Sequence, residues 1–222
     1  MTHPFWPLFD LRVRTPRLEL RGIDDEMATE LTALAARGVH APDFMPFAFE
    51  WTDVPSPQLE VNTMQFYWRC RASWSPAAWN LNLAVVVDGQ VVGTTGLITH
   101  DFATSRQFET GSWLGLEFQG CGIGTEMRIA TLQLGFVGFG AATATTAAFD
   151  DNPSSLGVTR KLGYTPNGES VKVRRGARAR SLSFVMTAEH FYDTLRRDDI
   201  ELDGIEPCLA LMGLSTPDRG GA

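Results

Sequence analysis

Apolar and polar residues alternate along residues 11–21, with Leu11, Val13, Leu18 and Leu20 on the apolar side and Thr15-Pro16 interrupting them. This predicts two short extended pieces, the second of them a first sheet strand. Asp24-Asp25-Glu26 then supplies a cap and first-turn acids for a helix to about Arg37. Residues 58–74 again read as helix. Residues 81–87 and 90–99 flank Asp88-Gly89, the clearest hairpin in the chain. Residues 108–116 form the next strand and 122–139 a helix opened by glycines. The short Thr- and Ala-rich run 142–149 reads as a buried parallel strand after a helical crossover. Asn152-Pro153 caps and starts a helix that ends near Leu162, with Gly163 as its breaker. Residues 171–175 and 179–186 make a last hairpin around Gly176, and a helix follows from Ala188. The order is β-α-α-β-β-β-α-β-α-β-β-α, an α/β chain with a mixed sheet.

The segment 38–57 breaks this rhythm. It holds prolines together with Phe44, Met45, Phe47, Phe49 and Trp51, too apolar for a solvated linker. Such a segment folds over something, either a binding site or its own core.

With 222 residues, 44% hydrophobic and 20% charged, the chain suits one domain with a sizeable core. We place that domain at residues 1–197 and a C-terminal extension at 198–222. Ile200, Leu202, Ile205, Leu209, Leu211 and Met212 make the extension too apolar for a free tail, so it should pack on the domain or on a second subunit. The residues from Thr216 on should be mobile. A net charge of −7 argues against nucleic acid as partner. Cys70, Cys121 and Cys208 fit no zinc spacing or disulfide framework, and the four histidines are scattered, so neither a metal site nor an oxidising compartment is expected. No signal peptide or membrane span is legible, and a cytoplasmic location is expected.

The most informative stretch is Gln119-Gly120-Cys121-Gly122-Ile123-Gly124-Thr125, between a strand and a helix. Glycines there free several backbone N–H groups to face one anion, and the helix N-terminus adds partial positive charge. The G-x-G-x-x-G dinucleotide spacing is not met, because Met127 stands at its last glycine. A P-loop is excluded by the absence of lysine before Lys161. Gln119, Gly122 and Gly124 do match Gln/Arg-x-x-Gly-x-Gly/Ala. That pattern resembles the coenzyme A pyrophosphate loop of the GNAT acyltransferase superfamily.

A second motif agrees. Asn152, Ser155, Val158, Gly163 and Tyr164 fall on the GNAT pattern N-x-x-S/A-x-x-(V/L)-x-x-x-x-G-(F/Y). The run 15–21 is similar to the opening strand of the ribosomal-protein-alanine/serine acetyltransferase branch. Pieces such as Met45-Pro46-Phe47 and residues 124–128 resemble an actinobacterial subgroup that includes a mycobacterial member associated with succinyl-CoA. The resemblance implies a GNAT fold, a mixed seven-stranded sheet splayed between its strands 4 and 5 and flanked by helices. It implies an acyl-CoA-dependent N-acyltransferase using acetyl-CoA or succinyl-CoA, with no metal. The acceptor would be a primary amine of a small molecule or a protein N-terminus, and the branch often forms homodimers.

The resemblance also implies residue roles. Gln119, Gly120, Cys121, Gly122, Ile123, Gly124 and Thr125 would hold the pyrophosphate, Leu114, Gly115 and Leu116 would pair with the pantetheine arm, and Asn152 would contact the coenzyme. Many GNATs place a tyrosine acid seven residues after the asparagine, but here that position is Thr159. The branch instead uses the serine that is Ser155 here; the alternative is a first-turn serine bonded to its own backbone. Glu109 leads as general base because it shares a strand face with Gly111 and Trp113, with a solvent-facing carboxylate as the alternative. His40, Asp43, Met45, Trp51 and Trp113 are the candidate acceptor-side residues. Lys172, Arg174, Arg175, Arg178 and Arg180 form a basic cluster that is either a solvated face or an attractor of acidic groups. A non-catalytic coenzyme A-binding module remains the alternative to an enzyme, because Thr159 replaces the usual acid.

Overall fold

The computed structural model describes residues 3–215. Its strands are β1 (Arg12–Arg14), β2 (Glu19–Gly22), β3 (Ala78–Val87), β4 (Gln90–His100), β5 (Gln107–Leu114), β6 (Thr143–Phe149), β7 (Thr165–Arg174), β8 (Ala177–Thr187) and β9 (Glu201–Asp203). They form one sheet in the order β7-β8-β6-β5-β4-β3-β2-β1-β9. The helices are α1 (Asp25–Arg37), α2 (Gln58–Ala72), α3 (Phe102–Ser105), α4 (Ile123–Gln133), α5 (Pro153–Lys161), α6 (Ala188–Thr194) and α7 (Ile205–Leu211).

Local chemistry sets most of these boundaries. The Asp24 carboxylate accepts the Met27 N–H at 2.9 Å and opens α1, as its position before the apolar run predicts. Asp88 and Gly89 join β3 to β4 with positive φ at both turn positions. The Asn152 side chain accepts from the Ser155 N–H, with Pro153 in the first turn, and so starts α5.

The sheet is larger than the seven strands expected. The two additions are β1, antiparallel to β2 across the Thr15-Pro16 turn, and β9, antiparallel to β1. Three-residue strands are too short to show alternation, and Glu-Leu-Asp in β9 offers a single apolar residue. Residues 200–214 thereby pack on this chain, with Ile200, Cys208, Leu209 and Met212 buried in the same core as Leu11 and Val13. The tail from Thr216, expected to be mobile, lies outside the described residues.

The glycine-opened helix also differs from a uniform one. After α4 it continues as a π turn at Leu134–Gly138. Gly135 lies there against Phe108, where an added Cβ would come within 2.3 Å of the ring. β7 begins at Thr165 rather than near 171, and nearly all of it is exposed, so no apolar alternation marks it.

Two cores lie on opposite faces of the sheet. Leu81, Leu83 and Val85 of β3 face a large cluster with Ala130 and Leu132 of α4 and Phe136 and Phe191 beyond it. Ala84 and Val86 face Ala28 and Leu31 of α1 and Tyr67 of α2. Fully burying one such side chain contributes about 1.5–3 kcal/mol. These two layers hold β4, β5 and β6 rigid where the candidate site lies.

Candidate functional site

β5 and β6 run parallel but stay together only at Gln107↔Thr143, Phe108↔Ala144 and Glu109↔Thr145. Beyond Glu109, β5 keeps its β4 partners as far as Leu114 while β6 follows β8. The sheet therefore splays between these two strands. Threonine hydroxyls bridge its first step, Thr110 Oγ1 to the Thr145 carbonyl and Thr146 Oγ1 to the Thr110 carbonyl, each at 3.3 Å.

The glycine loop closes one end of this gap. Gly120 and Gly122 have φ of 76° and 82°, a left-handed backbone that a side chain would strain. Gly122 caps α4, so the N–H groups of the first helical turn have no intrahelical partner and face outward. An added Cβ would meet nothing within 4 Å at Gly120 and only Leu114 at 3.8 Å at Gly124. This open, donor-rich turn fits a pyrophosphate. Ile123, Gly124 and Thr125 are half-buried in it, whereas Cys121 is exposed.

Other groups brace the loop from behind. The Gln119 side chain donates to the carbonyls of Val39 (2.8 Å) and Leu114 (2.9 Å), so it ties the loop to β5 and to the segment after α1. Glu126 is buried and accepts from Thr15 Oγ1 and, at 2.6 Å, from Arg17 Nε. Burial pushes the Glu126 carboxyl up, but the Thr15 and Arg17 hydrogen bonds outweigh it and hold the group below the usual carboxylate range. Arg17 also donates to the Cys121 carbonyl at 3.4 Å, which places a cation beside the loop. Nothing local in the sequence flags Arg17, because its partners lie more than 100 residues away.

The strand groups lie as follows. Leu114 is buried; the N–H of Gly115 donates to Val92 (3.0 Å) and that of Leu116 to Gly38 (3.0 Å). The β5 edge left without a strand neighbour is therefore residues 110–114, which shares only Leu114 with the run 114–116 assigned from the resemblance. Glu109 sits at the last paired position, exposed, where the strands part.

Asn152 is buried, with its side-chain oxygen engaged in the α5 cap. Ser155 follows in the first turn, half-buried, and among the described residues only its N–H is used in that cap. Thr159 is 1% exposed, and its hydroxyl has no partner among the described residues.

Across the sheet face that carries Glu109 and Trp113, the segment 38–57 folds over as a lid. Trp113 meets Trp51 at 5.7 Å, Trp51 meets Phe47 at 5.3 Å and Phe47 meets His40 at 5.8 Å between ring centroids. His40 uses both ring nitrogens within the lid, to the Ala41 carbonyl and Thr52 Oγ1. Met45 is buried and Asp43 is exposed. The lid is strapped down by the last hairpin. Arg174 donates to the Met45 carbonyl (3.0 Å) and to Asp151, and stands 4.3 Å over the Phe149 ring. Arg175 donates to Asp53 and to the Pro42 carbonyl. Arg180 pairs with Glu169. Arg174 and Arg175 are thus engaged with the lid, whereas Arg180 pairs with Glu169 on the exposed face of the hairpin, so the cluster divides between a structural strap and a solvated face.

Among the described residues, no helix is long and apolar enough to cross a membrane, and no group of three His, Cys, Asp or Glu side chains converges to hold a metal ion.

Known proteins agree with this geometry. Residues 17–165, more than half of the chain, match the model of the acetyltransferase (GNAT) domain. A GCN5-related N-acetyltransferase from Brucella melitensis superposes with a TM-score of 0.64 at 18% identity, covering 82% of this chain and 80% of that one. RimL, a ribosomal-protein α-N-acetyltransferase in complex with coenzyme A, superposes at 0.61 with 14% identity, over 78% and 95% of the two chains. The microcin self-immunity acetyltransferase MccE, in complex with acetyl-CoA and AMP, gives 0.61 and 17%, over 78% and 93%. At such identities these neighbours share the fold, an α/β sheet flanked by helices. With a splayed sheet, a glycine-opened helix and a family match spanning both motifs, the chain belongs to the GNAT acetyltransferase family.

Proposed function

We propose that the protein is an acyl-CoA-dependent N-acyltransferase working by direct attack within a ternary complex. The observation that supports this most is the splay of β5 from β6 behind the positive-φ glycine loop, with Glu109 at the point of parting. In this reading the backbone of residues 120–125 binds the pyrophosphate, the open β5 edge takes the pantetheine, and the amide nitrogen of Asn152 contacts the coenzyme. The acyl-CoA supplies an activated thioester. The amine nitrogen bonds to the acyl carbon, the C–S bond breaks, the amine proton passes to Glu109 and on to water, and the thiolate takes a proton from Ser155, which regains one from water. Trp51 and Trp113 form the acceptor-side wall, with His40, Asp43 and Met45 in the lid around them.

The acceptor is a primary amine, of a small molecule or a protein N-terminus; MccE and RimL support these two alternatives respectively. The donor is acetyl-CoA or succinyl-CoA, and the family supports the former. A homodimer in the cytoplasm completes the reading, and light scattering tests the assembly. Calorimetry with acetyl-CoA and succinyl-CoA tests the function: micromolar binding is expected, and binding of neither at high micromolar concentration overturns it.

One observation favours a second reading, a coenzyme A-binding module without turnover. Thr159 presents a buried hydroxyl where many relatives of this fold carry an acid. Thioester cleavage across an amine panel separates the two; binding without cleavage selects the module.

A further inference from the structure

The sheet face that carries Glu109 continues beyond it as a polar trench. Glu109 stands opposite Ile98, and Ile98 opposite Asn80. The next residues on this face are Gly111 opposite Gly96 and Gly96 opposite Asn82. The floor between the Trp113 row and the Glu109 row is therefore two adjacent glycines. An added Cβ at Gly111 would meet nothing within 4 Å. Glu109, Ile98 and Gly111 are exposed and both asparagines half-buried, so solvent reaches the trench at either end.

The far end is built from the two asparagines. The Asn82 amide donates to the Asn80 carbonyl at 3.3 Å and to Asn80 Oδ1 at 3.1 Å, which fixes both side chains. An added Cβ at Gly96 would lie 3.2 Å from Asn82 Oδ1 and 3.6 Å from Asn80 Oδ1, so both oxygens lean over that glycine. Each keeps a lone pair for a further donor. On their other side the same asparagines line a cavity with Cys70 and Trp74, but its volume of about 30 Å³ holds one water and no ligand group. The trench side is the one that a substrate can enter.

Two neutral oxygens held in place select N–H donors over anions. A cation would be paired more strongly by a carboxylate, so a neutral amide N–H is the better match. Asn80 stands two strands from Glu109, about 10 Å away. An extended chain that begins at the attacking amine brings an N–H within hydrogen-bond reach of it at about the third residue.

We propose that Asn80 and Asn82 determine acceptor specificity by binding an amide N–H that the acceptor carries about 7 Å from its reacting amine. This rests on the acyltransferase reading above and narrows its acceptor. A plain alkyl amine lacks that group, whereas a peptide amino terminus and a small aminoalkyl amide both supply it.

The test uses two pairs of acceptors that differ only in this N–H. One is trialanine amide and its twin with an ester oxygen in place of the third-residue N–H; the other is N-acetyl-1,5-diaminopentane and 5-aminopentyl acetate. With the tighter-binding of acetyl-CoA and succinyl-CoA as donor, the amide should exceed its ester twin about 3- to 10-fold in kcat/KM, the range of one neutral hydrogen bond, and the gap should lie in KM. A gap in the peptide pair alone assigns the trench to peptides, and a gap in the small pair alone to small acceptors. In Asn80→Leu and Asn82→Leu the gap should shrink to within about twofold of unity, with kcat and coenzyme affinity retained. A merely structural role would weaken both twins together. If the leucine variants do not fold, Asn80→Ser and Asn82→Ser, too short to reach the N–H, carry the same expectation. No gap in either wild-type pair, or a gap that survives both substitutions, overturns the assignment and leaves the acyltransferase reading standing. Coenzyme binding without acylation of any of the four amines selects the non-catalytic module, and no coenzyme binding overturns the acyltransferase reading; either result takes the assignment with it.

Discussion

Arg175 holds the Asp53 carboxylate in a two-pronged grip, Nε to Oδ2 at 2.8 Å and Nη2 to Oδ1 at 2.6 Å, joining residues 122 apart in sequence. Together with Arg174 on Asp151 and the Met45 carbonyl, it makes the turn after β7 the fastening of the lid. Arg175→Ala should therefore free the lid without disturbing the coenzyme loop. The expected outcome is faster proteolytic cleavage within residues 42–53 and a several-fold rise in acceptor KM, with coenzyme affinity within about threefold of wild type. Unchanged cleavage would show that the aromatic contacts of Trp51 suffice.

Acid should do the same as that substitution. The Arg175 hydrogen bond holds the Asp53 carboxyl below its ordinary value, against a weaker upward push from burial. A depressed carboxyl favours the closed state above its unfolded value, near 3.9, and that contribution is lost as the pH falls through the lower folded value. The lid should stay fastened from neutral pH down to about 4 and loosen below it. Hydrogen exchange of residues 42–53 across this range measures it; protection constant to pH 2 would remove the ion pair from the account.

Ser155→Ala should lower the acyl-transfer rate about a hundredfold or more when thiolate departure limits turnover, with coenzyme affinity nearly unchanged. Asn152→Ala should behave differently. It removes the α5 cap, at about 1 kcal/mol of stability, and should weaken coenzyme binding as well. Rate constants and dissociation constants for the pair separate these roles, and a wild-type rate in Ser155→Ala sends the acid role to water.

Gly122 and Gly124 should fail for different reasons. Gly122→Val meets a φ of 82° and the Arg17 guanidinium at 3.4 Å, so it should lower thermal stability as well as binding. Gly124→Val meets only Leu114 at 3.8 Å, so most of its effect should fall on coenzyme binding. A melting curve and a coenzyme titration for each distinguish them; a Gly124→Val protein that binds coenzyme normally would move the pyrophosphate away from this turn.

Thiol labelling offers a probe of the same loop. Cys121 is exposed within it, whereas burial pushes the Cys208 thiol up to about 12 and raises that of half-buried Cys70. A maleimide at neutral pH should label Cys121 first, and acetyl-CoA should slow that labelling. Labelling that ignores coenzyme would count against the loop assignment.

Strong local signals made most of the fold readable. The Asp24 cap, the Asp88-Gly89 turn and the Asn152-Pro153 start each fix an element within a few residues, and each is in place. The elements missed lack such signals: β9 has one apolar residue, β7 is nearly all exposed, and the π turn at Leu134–Gly138 depends on how Gly135 meets Phe108. The glycine loop was legible for the same local reason. Arg17 was not, since an arginine reads as solvent-facing until partners from distant elements are known.

The parting of β5 and β6 also divides the sheet mechanically. Three residue pairs join a plate of three strands, β6 to β8, to a plate of six. A seam so narrow should open before either plate melts, making β6–β8 a candidate cooperative unit within the domain. The same gap keeps a bare strand edge deep inside the sheet instead of at its rim, where it would invite pairing with other chains. An unsatisfied edge is thus kept within the molecule, walled in by its own neighbours.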